Sequence, residues 1–170
     1  GISQPTAKAW LSALESSYVV FQLYPFHENF SKRIVKTPKL YFYDSGLLCY
    51  LLKIKHVELL STQAFKGSLF ENMMIAEYVK RMHHKNQISD LWFWRDSAGH
   101  EVDLLINEGL TLNLVEFKAT QTIMTDLFNG LIFFEKVSKK VYLTKTLVYS
   151  GDKYQSRTAG NVVPWFEFGK

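Results

Sequence analysis

Apolar positions in the first part of the chain recur at helical spacing. Ala7, Trp10, Leu11 and Leu14 predict a helix ending near Ser16-Ser17, with Ser3 or Gln4 at its cap and Pro5 in its first turn. Tyr18 to Leu23 is β-branched and aromatic and predicts a strand. A second strand is expected at Leu40 to Tyr43, after a basic, proline-containing turn over 31–39. Asp44 is placed to cap a short helix through Leu52. Between Glu58 and Gly67 the pattern weakens, which divides the chain into segments 1–56 and 57–170. Beyond that point Leu69, Phe70, Met73, Met74, Ala76, Tyr78 and Val79 predict a long helix closing at His83-His84. Three strands follow, at Leu91 to Arg95, Glu101 to Ile106 and Thr111 to Lys118, joined through Ser97-Ala98-Gly99 and Asn107-Glu108-Gly109. A helix over 123–137, a strand over 141–149, a polar turn and a last strand near Val162 complete the pattern.

The first segment has the order helix, strand, basic hairpin, strand, which is that of the second half of a winged helix, its hairpin forming the wing. The second reads helix–β-meander–helix–β, an α/β fold with a mixed sheet flanked by helices. No internal repeat or low-complexity tract interrupts either.

Composition narrows the function classes. With 47% hydrophobic and 15% aromatic residues the chain has ample material for a core, so extensive disorder is excluded. No apolar run approaches the roughly 18–20 residues of a membrane-spanning helix, and the N-terminus lacks the layout of a signal peptide. The single cysteine, Cys49, allows no internal disulfide, so a reducing cytoplasmic compartment is expected. The net charge of +4 is uneven: residues 1–56 carry seven basic and three acidic side chains, and the remainder is balanced. Attraction to polyanions is therefore concentrated in the first third. Lys32, Arg33, Lys36 and Lys39, on the expected wing, are the candidate nucleic-acid contacts, and Arg95 is a further phosphate-binding candidate; a basic hairpin that is solvated or docks on another protein domain is the plain alternative for the four, and pairing with Asp96 or Glu101 the alternative for Arg95.

The charged residues inside the hydrophobic strands carry the chemistry. Period-2 alternation puts Glu101, Asp103 and Leu105 on one face and Val102 and Leu104 on the other. In the next strand Leu114, Glu116 and Lys118 share a face. A tight turn joins the two strands, so Asp103 and Glu116 can lie side by side. Two such carboxylates repel each other unless a proton or cation intervenes, and a hard divalent ion such as Mg²⁺ accepts oxygen ligands of this kind. Lys118 can orient or help deprotonate a bound water and stabilise charge growing on a phosphate. A lone Glu-x-Lys is common on solvated edges; its pairing with Asp103 inside apolar strands points to a site. Glu101, on the face of Asp103, reads as an exposed acid, with a supporting role beside Asp103 as the alternative.

Several separated motifs resemble one family. Gly67-Ser68-Leu69-Phe70-Glu71-Asn72, Trp94-Arg95-Asp96, Gly99-His100-Glu101-Val102-Asp103, Val115-Glu116-Phe117-Lys118-Ala119-Thr120 and the stretch Ser31 to Leu47 resemble the C-terminal domain of unknown function of prokaryotic AAA-type ATPases. The resemblance implies a partial winged helix followed by a restriction-endonuclease-like, PD-(D/E)xK domain similar to archaeal Holliday-junction resolvases. It implies Glu71, Asp103 and Glu116 as ligands of Mg²⁺ or Mn²⁺ and Lys118 as the catalytic lysine. It further implies DNA as a partner and an N-terminal ATPase domain in the same parent protein. The chain has no Gly-x-x-x-x-Gly-Lys-Ser/Thr loop and so no P-loop ATP site of its own. A Mg²⁺-dependent phosphodiesterase is the expectation; a catalytically silent nucleic-acid-binding or protein-docking module serving the ATPase is the alternative.

Overall fold

The Ser3 hydroxyl accepts the Thr6 amide and opens α1 (Gln4–Ser16), with Pro5 in its first turn where a missing N–H costs nothing. In the computed structural model, which describes residues 1–27, 36–62, 64–87, 90–139 and 143–170, the apolar stripe of α1 stays uncovered. β1 (Val20–Leu23) pairs antiparallel with β2 (Lys39–Phe42) in a two-stranded ribbon. The Asp44 carboxylate then accepts the Leu47 amide and starts α2 (Ser45–Leu51), as expected. Most of the expected wing, with Lys32 and Arg33, lies outside the described residues.

The second segment begins with α3 (Lys66–His84), followed by β3 (Asp90–Arg95), β4 (Glu101–Asn107) and β5 (Leu112–Lys118). After α4 (Asn129–Val137) come β6 (Leu143–Tyr149), β7 (Gln155–Arg157) and β8 (Gly160–Pro164). The six strands form one mixed sheet in the order β3-β4-β5-β6-β8-β7. β3, β4 and β5 run antiparallel as a meander; β5, β6 and β8 are parallel, with α4 as the β5-to-β6 crossover. Sequence periodicity decides the layers. Met74, Ile75, Tyr78 and Val79 of α3 pack on Leu104, Val115, Phe117 and Val148, while Leu131 and Phe134 of α4 pack on Val102, Leu105, Leu114 and Leu147. Each such side chain contributes about 1.5–3 kcal/mol by leaving water.

The two segments meet through apolar packing and backbone pairing. Leu23 of β1 and Tyr41 of β2 join the α3-side core. Beyond β1 the chain lies along the outer edge of β3: Phe93 donates to the Tyr24 carbonyl (3.0 Å) and the Phe26 amide donates to the Phe93 carbonyl (2.7 Å). That covers an edge which would otherwise expose unpaired amides.

Three local expectations change. The even alternation of β4 fails, because Trp92 pairs with Leu105 and Trp94 with Val102, so two residues of β4 oppose Phe93 alone. This bulge moves Val102 to the α4 side with Leu105 and leaves Leu104 on the α3 side with Ile106, so Val102 and Leu104 do not share a face. The helix expected over 123–137 starts late: a 3-10 turn (Thr125–Phe128) precedes α4. The polar turn before the last strand contains β7, paired antiparallel with β8. Its sequence, Gln155-Ser156-Arg157, has no apolar alternation to reveal it.

Candidate functional site

β4 and β5 part company at the site. Their register runs from Asn107↔Leu112 to Leu104↔Val115, whereas β5 continues beside β6 as far as Lys118↔Tyr149. In the fork, the Phe117 amide donates to Asp103 Oδ2 at 3.0 Å in place of a strand partner. The bulge and this bond turn Asp103 towards α3 and β2. Glu116 and Lys118 alternate with Leu112 and Leu114 and share their side of the sheet, towards α4. They stand at the carboxyl end of a parallel strand, where open α/β sheets place ligands.

Gly130, in the first turn of α4, lets that helix end approach. A Cβ there would lie 2.1 Å from the Glu101 carbonyl oxygen and 3.6 Å from Glu116 Oε2. Asp103, Glu116, Lys118, His100 and Gly130 line a cleft of about 420 Å³. His100 is held by Asp96, whose carboxylate accepts the Ala98 and His100 amides and meets His100 Nδ1 at 2.9 Å, and its ring stacks on Phe133. That clamp fixes the β3–β4 turn, in which Gly99 has a φ of +90°.

Asp103 and Glu116 are 7% and 8% exposed. Burial raises the Asp103 carboxyl well above the usual carboxylate range, and the charges of Glu116 and Glu71 add to it; Lys39 and the Phe117 amide pull the other way. Burial also raises Glu116, against the pull of Lys118 at 2.6 Å from its Oε1. Burial disfavours the Lys118 ammonium, but Glu116, Asp103 and Glu71 outweigh it, so the lysine titrates above its ordinary range. It is an ammonium at neutral pH and no base in this state.

Glu71 reaches the same region from α3. Its Oε1 accepts from the Tyr41 hydroxyl (2.6 Å) and from Lys39 Nζ (2.9 Å). Lys39 also pairs with Glu101 Oε1 and lies 3.8 Å from Asp103 Oδ1. Of the four wing lysines and arginines, Lys39 thus turns inward onto acids at the start of β2, Lys36 is exposed, and Lys32 and Arg33 lie outside the described residues. Arg95 stands at the rim with its Nε 3.4 Å from Glu101 Oε2. Glu101 is not the exposed acid its position suggested: it sits between Lys39 and Arg95 with a side chain 24% exposed. Tyr41 is not among the expected site residues, and Lys39 is expected there only as a nucleic-acid contact, not as a partner of these acids. The i, i+2 spacing of Lys39 and Tyr41 on β2, aimed at one face, was the available signal.

A hard divalent cation asks for carboxylate oxygens without other partners. Glu116 Oε2 meets that demand, being buried with no hydrogen-bond partner among the described residues, and Asp103 Oδ1 has only the 3.8 Å approach of Lys39 beside it. Those two donors fit a cation. Glu71 Oε1 already serves Lys39 and Tyr41. Among the described residues no three acidic, histidine or cysteine side chains stand grouped for a metal ion.

Comparison with known proteins places the chain without giving it an activity. Residues 66–168 match a family described as a domain of unknown function (DUF4143), and residues 1–58 match a second, also described as a domain of unknown function (DUF8612). Two uncharacterized proteins, from Mycobacterium bovis and Mycobacterium tuberculosis, are each 31% identical over 121 residues, covering 71% of this chain and 26% of the relative. The chain thus spans about a quarter of the length of these curated relatives. No solved structure matches it. No helix among the described residues is long and apolar enough to cross a membrane.

Proposed function

Because the chain belongs to the DUF4143 family, a domain whose function is unknown, its chemistry has to be read from its own residues, and we propose a divalent-cation-dependent phosphodiester hydrolase site of the restriction-endonuclease-like kind. One observation carries this reading: two nine-tenths-buried carboxylates, Asp103 and Glu116, converge where β4 and β5 fork, with an orphaned Glu116 oxygen and Lys118 beside them. Burial and the neighbouring acids push both carboxyls up, and carboxylates so placed need a cation or a proton.

Asp103 and Glu116 would hold Mg²⁺ or Mn²⁺, which when bound supplies charge for a phosphate and makes a water more acidic. The residues of the chain do the rest. Lys118, charged and held against Glu116, presents an ammonium to the phosphate on which negative charge grows. The Phe117 amide fixes the angle of Asp103. Arg95, half exposed at the rim, offers a guanidinium suited to a neighbouring phosphate. The parent context we propose is a cytoplasmic AAA-type ATPase acting on DNA, with this chain as its C-terminal module. The motif resemblance and the basic first third support that context.

One observation favours a second reading, a silent nucleic-acid-binding or docking module: Lys39 and Lys118 already balance part of the acidic charge. The test is cleavage of branched, single-stranded and double-stranded DNA with Mg²⁺ or Mn²⁺. Asp103→Ala and Lys118→Ala are each expected to lower the rate at least a hundredfold. Cleavage unchanged in both variants, or no cleavage of any substrate by the wild type, overturns the hydrolase reading; salt-sensitive DNA binding in the latter case supports the silent one.

A further inference from the structure

We propose that Lys39 is a tethered cation of this site, filling the Glu71–Glu101 half of the acidic cluster so that each chain binds a single divalent ion at Asp103 and Glu116. The inference rests on the cation-site reading above and adds a limit on stoichiometry imposed by the N-terminal segment.

The placement of Lys39 is built. It opens β2, whose free edge is fastened to α3 by Asn72: the Phe42 amide donates to Asn72 Oδ1 (2.8 Å), and Asn72 Nδ2 donates to the Phe42 carbonyl (3.0 Å). Asn72 is itself 4% exposed, so neither bond has a water substitute at hand. From there the lysine stem passes over the Phe93 ring, with Nζ 5.4 Å from the centroid. The ammonium ends between Glu71 Oε1 and Glu101 Oε1, with Asp103 Oδ1 on its far side. Tyr41, two residues on and facing the same way, donates to the same Glu71 oxygen.

Charge and donor arithmetic then divide the cluster. Glu71 Oε1 has two donors already, and Asp103 Oδ2 is held by the Phe117 amide. Among the described residues Glu116 Oε2 is buried without a partner, and it lies on the α4 side, 3.6 Å from where a Cβ of Gly130 would stand. A second divalent ion at Glu71 would have to displace the ammonium or stand beside it, and like charges a few ångströms apart in a poorly hydrated site repel strongly. Lys39 and Tyr41 lie within residues 1–58, whereas all four acids lie within residues 66–168, so the first family segment completes the site of the second.

Calorimetric titration of the purified chain with Mn²⁺ reads this without reference to activity. The wild type is expected to bind one ion. Lys39→Met is expected to bind at least about tenfold more tightly, or to take a second ion. Glu71→Gln alone should change the affinity less than about threefold, but it should abolish the gain when added to Lys39→Met. Two ions on the wild type, or one ion of equal affinity on both wild type and Lys39→Met, overturns the proposal while leaving the cation site standing. Absence of Mn²⁺ binding in both defeats the cation reading as well. Thermal melts report whether Lys39→Met folds; where it does not, the wild-type stoichiometry and Glu71→Gln decide, because a loss of more than threefold would make Glu71 a ligand already and overturn the proposal.

Discussion

Asp103 is a carboxylate in a place that resists its charge. Its folded pKa lies above the ordinary carboxylate value, so between the two values the folded chain holds more protons than the unfolded one. Stability of the metal-free protein therefore falls as pH rises through that window, and Glu116 adds to the loss in the same direction. Lys39 and Lys118 titrate above their ordinary value of 10.5, so what they contribute is present throughout the neutral range and disappears only at higher pH. They do not mask the effect. Asp103→Asn keeps an oxygen for the Phe117 amide and removes the charge. In chelator-containing buffer it should be more stable than the wild type by about 1–2 kcal/mol at pH 8, with the difference shrinking towards pH 5. Urea denaturation at the two pH values measures this; a difference that does not vary with pH would contradict the burial argument.

At the scale of elements, the fork between β4 and β5 and the start of α4 make the site. Gly130 is the contact point, since any Cβ there meets the Glu101 carbonyl at 2.1 Å. Gly130→Ala should push α4 away from β4 and cost about 1–3 kcal/mol, read in the same denaturation assay. A variant as stable as the wild type would mean that the close approach is unimportant. Much of this level was legible in the sequence. The helical stripes predicted α1 and α3, and apolar runs joined through glycine-containing turns predicted β3, β4 and β5. The Glu116–Lys118 spacing on β5 was likewise enough to put both on one side. What escaped has physical causes. Alternation assumes an unbroken pleat, so the bulge that turns Asp103 away from the face of Leu105 could not be seen. The residues before α4 lack the apolar period of a helix and form a 3-10 turn instead. Lys39 lay in a basic, turn-like stretch where a lysine normally faces water, and only the tertiary position of α3 brings Glu71 to it.

For the molecule as a whole, the ribbon of β1 and β2 belongs with the sheet of the second segment rather than beside it. Leu23 and Tyr41 share its core, and Tyr24 to Phe26 cap the edge of β3. Deletion of residues 1–58 would accordingly remove both the lysine that balances Glu71 and the cover of that edge. The central claim is that this joined structure holds a divalent cation between Asp103 and Glu116. The most direct measurement is a crystal structure of the protein grown with Mn²⁺, read by the anomalous scattering of manganese. One anomalous peak bridging the Asp103 and Glu116 carboxylates, with Lys39 still on Glu71, is the predicted result. A map with no peak at these carboxylates in Mn²⁺-saturated crystals, or one whose manganese sits elsewhere, would contradict it.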